Sequence, residues 1–304
     1  MKIFITGGSG FIGQTVVKDL VEKNYDVVGL ARSDRSAAIL TSLGATPVSG
    51  TLTDHDVLAQ QASASDGVIH LGFTNDFNHY DEAVKQDQAA IKAIGDALID
   101  SNKPFVNTSG TLMITDLGRP ALETDFTAHP TDRALSEANS LAYADQGVRA
   151  MVVRLSPTVH SAARQGFGSL LAQIAVAQHR AAFVDETTVW PSVHRDDAAA
   201  LFVAALERGT AGHVYHAVAE EGISVKAIEE TIATSLHLPI SQLTPQDAAT
   251  YFGWFVGSIS ANNPTSSAQT QAELDWHPTH EGLLTDLADF LAIPANVEQL
   301  KQAH

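Results

Sequence analysis

The segment Thr6-Gly7-Gly8-Ser9-Gly10-Phe11-Ile12-Gly13 follows an apolar run, Lys2 to Thr6, and precedes a stretch, Gln14 to Asn24, in which Val16, Val17, Leu20 and Val21 recur at helical spacing. It satisfies GxGxxG through Gly8, Gly10 and Gly13, and GxxGxxG through Gly7, Gly10 and Gly13. Glycine at such positions permits a tight turn and brings the backbone close to a pyrophosphate, whose charge then meets the positive end of a helix dipole. Placed between a strand and a helix, the segment reads as a dinucleotide-binding turn; standing alone it would be a bare glycine turn.

A second short strand, Asp26 to Leu30, ends in Ala31-Arg32-Ser33. A protein that binds NAD usually places Asp or Glu here to hold the ribose hydroxyls, and Ala31 cannot do that. Arg32, with Ser33 and Arg35, can instead pair with a 2′-phosphate, so NADP(H) is expected over NAD(H). The competing reading is a solvated basic loop diluted by Asp34.

These residues need a sheet to position them. Gly67 to Leu71, Pro104 to Thr108 and Val148 to Leu155 read as further strands, with helix-compatible stretches between them. Such alternation predicts an α/β fold of the Rossmann type, a doubly wound parallel sheet covered on both faces. Beyond Pro157 the rhythm weakens. A helix over 196–207 and a strand over 213–218 return to the sheet, and the remainder forms a smaller, interleaved substrate lobe. The expected division is a cofactor domain over 1–160 and a lobe over 161–304 from which about 193–218 rejoins the sheet. The Asn262 to Ser267 stretch is the most loop-like part of the second half, and Tyr251, Phe252, Trp254 and Phe255 form an aromatic group that packs the lobe or lines a substrate wall.

Composition narrows the partners. The 304 residues are 44% hydrophobic, enough for a large core. A formal charge of −17 repels nucleic-acid backbones and anionic lipid. No apolar run reaches membrane-spanning length, and the chain passes from Met1-Lys2 directly into a strand pattern. There is no cysteine, which suits a cytoplasmic location and leaves redox chemistry to a bound cofactor. Thirteen histidines occur without HxH or HExxH spacing, so no metal is expected.

Taken together, TGGSGFIG, GVIHLGF at 67–73, FVNTSGT at 105–111, VVRLSPTVH at 152–160, WPSVHRDDAAALF at 190–202 and AELDWHPTHEGLLTDLADF at 273–291 resemble the extended short-chain dehydrogenase/reductase superfamily, the NAD-dependent epimerase/dehydratases. The resemblance implies that Gly7, Gly10 and Gly13 hold the pyrophosphate, with Leu71, Gly72 and Phe73 beside the ribose. It puts Leu52 near adenine, where Thr51 replaces a usual Asp, and Pro157, Thr158 and Val159 along the nicotinamide. Ser109 falls where the family carries a catalytic Ser or Thr, and is otherwise a strand-end hydroxyl satisfying local backbone.

The family's YxxxK is absent: none of Tyr25, Tyr80, Tyr143, Tyr215 and Tyr251 has lysine four residues on. Counting back from Glu137 puts His129 in the tyrosine position and Arg133 in the lysine position. Arg133 can keep a cationic, ribose-binding role but cannot exchange protons near neutrality, while His129 titrates in a useful range, although Pro130 moves it toward the helix cap. A tyrosine is therefore not expected as proton donor. His160 and His194 fall near the inferred cleft with structural roles expected, and Asp196 or Asp197 is expected to cap the helix that follows. The implied activity is an NADP-dependent oxidoreductase or epimerase-like enzyme acting on a small carbonyl or hydroxyl compound. The alternative is a cofactor-loaded sensor without turnover, and the resemblance leaves room for a homodimer.

If Arg32 reads a 2′-phosphate, fluorescence titration will give tighter binding of NADPH than of NADH, and Arg32→Asp will narrow or reverse the difference. A charge-assisted contact of about 1.5–3 kcal/mol makes the shift roughly tenfold or more. Equal affinities in the parent protein would remove the argument.

Overall fold

The computed structural model describes residues 1–74, 79–128, 130 and 132–302. Its centre is a sheet whose strands are β1 (Lys2–Thr6), β2 (Asp26–Ala31), β3 (Thr46–Ser49), β4 (Gly67–His70), β5 (Pro104–Gly110), β6 (Arg149–Leu155) and, after an excursion, β10 (Val214–Ala217). All seven are parallel, in the order β3-β2-β1-β4-β5-β6-β10. Both faces are covered, so the middle of β1 is apolar on both sides: Ile3 and Ile5 join one core, Phe4 the other. One face carries α1 (Gly13–Glu22), α2 (Asp34–Ser42) and α7 (Arg195–Arg208); the other carries α3 (His55–Ser63), α4 (Tyr80–Asp96) and α5 (Asp132–Leu141). Strand order reverses between β1 and β4, and open sheets of this kind bind ligands at the carboxyl end of that switch point.

Further strands lie outside this sheet. β7 (Thr158–His160), β9 (Val189–His194) and β11 (Glu220–Ser224) form a three-stranded sheet, and β8 (Ala181–Phe183) pairs with β12 (Ile240–Gln242). Around them pack α6 (Phe167–Ala177), α8 (Val225–Leu236), α9 (Pro245–Phe252), α10 (Val256–Ser260), α11 (Ala268–Leu274), α12 (Leu283–Ala292) and α13 (Pro294–Gln302). Tyr251, Phe252 and Phe255 are buried in this lobe's core, whereas Trp254 stays exposed. The loop-like stretch from Asn262 is irregular yet buried. Asn263 accepts from Thr111 Oγ1 at 2.7 Å and donates to the Thr111 and Ile114 carbonyls, stitching the lobe to the end of β5.

One buried ion pair sets α5 against the sheet. Arg154, fully buried on β6, makes a bidentate contact with Glu137 on α5 at 3.0 and 2.5 Å, and donates to the Asp125 carbonyl. Its Nη1 also donates to His216 Nε2 at 3.2 Å, while His216 Nδ1 donates to the Ser266 carbonyl. Those two bonds fix a neutral imidazole. Burial, then the Arg154 charge, holds the His216 pKa well below its ordinary value.

The consequence is a pH-dependent stability term. The folded-state pKa is depressed, so the unfolded chain binds the proton first: the term is complete above about pH 6.5 and is lost as pH falls toward the folded value. His216→Gln, which can keep one donor and one acceptor, should flatten the fall in urea-unfolding free energy below pH 6.5 by up to about 1.4 kcal/mol per pH unit. Parallel curves for parent and variant would contradict this.

Candidate functional site

The turn after β1 is closed by backbone contact. Gly10 N–H donates to the Gly7 carbonyl at 2.9 Å. Gly7 has φ +70°, and a β-carbon on it would lie 2.6 Å from the Leu71 carbonyl carbon. On Gly13 it would lie 2.1 Å from the Gly7 oxygen. Both positions therefore exclude side chains for reasons of fold. Gly10 differs: apart from the Gly7 oxygen at 3.0 Å, a β-carbon there meets nothing, so the space over it is open. α1 begins at this point with no side chain capping it, leaving the end of the helix dipole available to an anion. Ser9 is tied in through its carbonyl, which accepts from Gln14 Nε2. Phe11 carries two arginines over its ring, Arg195 at 5.4 Å and Arg164 at 6.0 Å, which sequence spacing could not foretell.

Ala31 is buried at the end of β2, whereas Arg32 is exposed and makes no ion pair among the described residues. Ser33 is committed as the N-cap of α2, its Oγ accepting from Ser36 N. Leu52 packs beneath Gly72, and neighbouring Thr51 forms a local turn with Asp54. Gly72 N–H donates to Thr6 Oγ1 at 3.0 Å, which brings the end of β4 against the glycine turn. Of the segment at 157–159, only Pro157 retains exposure: Val159 lies in the core, and Thr158 Oγ1 bonds the Pro191 carbonyl.

Arg133 reaches the carboxyl end of β5, at the residue before Ser109. Arg133 Nη2 donates to the Thr108 carbonyl at 2.9 Å, its guanidinium lies 4.1 Å over the Phe73 ring, and Nη1 stands 3.4 Å from Asp87 Oδ1. Ser109 is buried, and its Oγ has no hydrogen-bond partner among the described residues. Asn107 Oδ1, Asp87 Oδ2, Arg133 Nη1 and Ser136 Oγ share that condition in the same region. Buried polar atoms are rarely left so, and a cluster of them calls for bound water or a ligand. His129 lies outside the described residues; α5 opens at Asp132, two residues after Pro130.

Sequence reasoning missed Asp87, His70 and Tyr80. Asp87 and Tyr80, seven residues apart, share one face of α4, and Tyr80 stands edge-on to Phe73 at 6.2 Å between centroids. Burial raises the Tyr80 pKa against the opposing pull of Arg133. Each of the other four phenols is hydrogen-bonded elsewhere: Tyr25 to Glu207, Tyr143 to Asp96, Tyr215 to Glu273 and Tyr251 to the Arg180 carbonyl.

The histidines at the lobe junction are committed to structure. His160 Nδ1 pairs with Asp286 at 2.7 Å. The cap of α7 is not Asp196 or Asp197 but His194, whose Nδ1 accepts from Asp196 N. Asp197 instead clamps the chain before α12, accepting from Thr279 N, His280 N and His280 Nδ1. Burial, then the neighbouring His280, lowers the His194 pKa. His194, Asp196 and His280 offer ligand atoms within 4.8 Å of one another, but the two rings stack at 4.3 Å and 8°, so their lone pairs run side by side and do not converge on an ion.

Comparison with known proteins fits this geometry. The model of the NAD dependent epimerase/dehydratase family matches residues 3–218. An uncharacterized protein of Schizosaccharomyces pombe is 44% identical over 290 residues, spanning 95% of this chain and 98% of that one. A 4-hydroxy-2-methyl-3-oxo-4-farnesyl-3,4-dihydroquinoline-1-oxide ketoreductase of Stigmatella aurantiaca is 29% identical over 51% of this chain and 49% of its own. A dTDP-glucose 4,6-dehydratase from Bacillus anthracis, solved with NAD, superposes with a TM-score of 0.73 at 18% identity, covering 99% of this chain and 100% of that one.

The two kinds of glycine should separate by experiment. Gly10→Val is expected to keep a cooperative unfolding transition while losing measurable NADPH binding by calorimetry. Gly13→Val should lower stability by roughly 1–3 kcal/mol or more, because backbone has to move. Retained NADPH affinity in folded Gly10→Val would show that the open side of the turn is not the cofactor side.

Proposed function

Because the chain belongs to the NAD-dependent epimerase/dehydratase family, we propose that it is an NADP(H)-dependent reductase of a small carbonyl compound. The observation that carries this reading is Ser109 Oγ, buried and without a hydrogen bond among the described residues, one residue beyond the Thr108 carbonyl to which Arg133 donates at the carboxyl edge of β5. A hydroxyl desolvated without a partner is stabilised once a ligand oxygen accepts from it. The residues present fit a dinucleotide: an open face over Gly10, an uncapped α1 and a cationic edge in Arg164 and Arg195. Exposed Arg32, in place of an acidic residue, favours the phosphorylated cofactor. The ketoreductase among the partial relatives favours reduction over epimerisation.

The cofactor, when bound, supplies the hydride. Ser109 Oγ–H donates to the carbonyl oxygen and stabilises the negative charge that develops there. Arg133 adds a fixed positive charge and stays protonated throughout, so the proton that ends on the oxygen comes from elsewhere. His129 is the candidate from sequence, with bound water or a substrate hydroxyl as the alternative. Residues 1–160 with about 193–218 would hold the cofactor, and the rest of 161–304 would close over the substrate.

A panel of short aldehydes and ketones, with NADPH oxidation followed at 340 nm, tests the reading. Ser109→Ala should slow turnover by about a hundredfold with NADPH affinity unchanged. Ser109→Ala turning over at the parent rate would remove Ser109 from the site. Tight NADPH binding with no turnover on any carbonyl would favour the sensor, the alternative that the missing YxxxK keeps in view.

A further inference from the structure

We propose that Asp87 is the positioning residue for Arg133, so that a buried Asp–Arg pair does the ribose-holding work that the family assigns to one lysine. The inference deepens the reading above and rests on it. Asp87 is 1% exposed on α4, where a carboxylate is destabilising unless it is paired and hydrogen-bonded. Two groups meet its Oδ1: Arg133 Nη1 at 3.4 Å and His70 Nε2 at 3.2 Å.

His70 is itself held. The Asp87 carboxylate can only accept, so His70 Nε2–H donates to it, and Nδ1 of the neutral ring then accepts at 2.7 Å from the Thr6 hydroxyl, whose oxygen takes the Gly72 N–H. The chain therefore runs from the residue before Gly7, through His70 and Asp87, to Arg133, and ends on the Thr108 carbonyl. Burial opposes the charge on Asp87, but the His70 hydrogen bond and the Arg133 charge outweigh it and hold the carboxyl below its ordinary pKa. Tyr80 is the other titratable group facing the pair, and its phenol feels the charges of Arg133, Asp132, Asp87 and Asp81.

Physical necessity explains the arrangement. A guanidinium is a planar fork on a long, flexible stem, and it acts as a fixed cation only if its plane is set from two sides. Thr108 sets one end and Asp87 the other, with Phe73 against the face. Apart from their ion pair and the Ser136 hydroxyl that acts on the carboxylate, Asp87 Oδ2 and Arg133 Nη1 have hydrogen-bonding capacity unfilled among the described residues. A ribose hydroxyl, which both donates and accepts, matches that pair.

The test is a double-mutant cycle on NADPH affinity, with Asp87→Asn, Arg133→Gln and the double variant titrated by fluorescence and their apo melting temperatures measured alongside. Asp87→Asn should weaken NADPH by about tenfold in the parent and by less than about twofold in the Arg133→Gln background, since it acts through the arginine. Thr6→Val, three bonds up the chain, should weaken NADPH by about threefold with the same loss of effect, and serves if Asp87→Asn does not fold. Equal weakening in both backgrounds, or parent-like affinity in either variant, would overturn the positioning role while leaving the reductase reading standing. Failure of the parent protein to bind NADPH or NADH would overturn the reading beneath it.

Discussion

The carbonyl oxygen of Gly7 lies where a β-carbon on residue 13 would have to be, and most of the molecule depends on that contact. It folds the chain back sharply after β1, brings the uncapped start of α1 to the switch point between β1 and β4, and presses the turn against Leu71 and Gly72. With the turn closed by backbone alone, no side chain stands between the helix end and the space over Gly10. The cofactor edge is thus built from excluded volume and dipole, with arginines placed around it.

The opposite edge of the same cleft is built from charge. A lysine at position 133 could hold a ribose and, by losing its proton, follow pH; an arginine does only the first. The replacement requires a counter-charge that fixes the longer side chain, and the fold provides one from α4, stabilised in turn through β4 and β1. Polar groups of β4, β5, α4 and α5 are buried together there, and several of their atoms make no hydrogen bond among the described residues. On the proposed reading, the end of α5 carries a fixed charge in place of a titrating pair.

What the sequence disclosed follows from period and punctuation. β1, β2, β4, β5 and β6 are apolar runs bounded by turns, and the glycine segment announces itself. β3 was missed because Thr46–Ser49 contains Pro47 and is only half-buried, as an edge strand is. Asn263 looked like loop because Asn, Pro, Thr and Ser favour turns, yet its amide is consumed in burying the lobe against β5. Asp87 was invisible for another reason: a carboxylate on an amphipathic helix reads as solvent-facing until α5 is packed against α4. The Arg133 position rests on counting back from Glu137, which the structure pairs with Arg154. His194 capping α7 in place of two available aspartates shows that cap identity is decided by tertiary demand, here the need of Asp197 for residues 279–280.

A crystal structure with NADPH tests the central claim directly, through the position of the nicotinamide ribose relative to residue 133. The account predicts the diphosphate over Gly10 at the start of α1 and a ribose hydroxyl within hydrogen-bond distance of the Arg133–Asp87 pair, with Ser109 Oγ facing the nicotinamide. A ribose turned away from that pair, with the Asp87–Arg133 contact unchanged and remote from the cofactor, would contradict it.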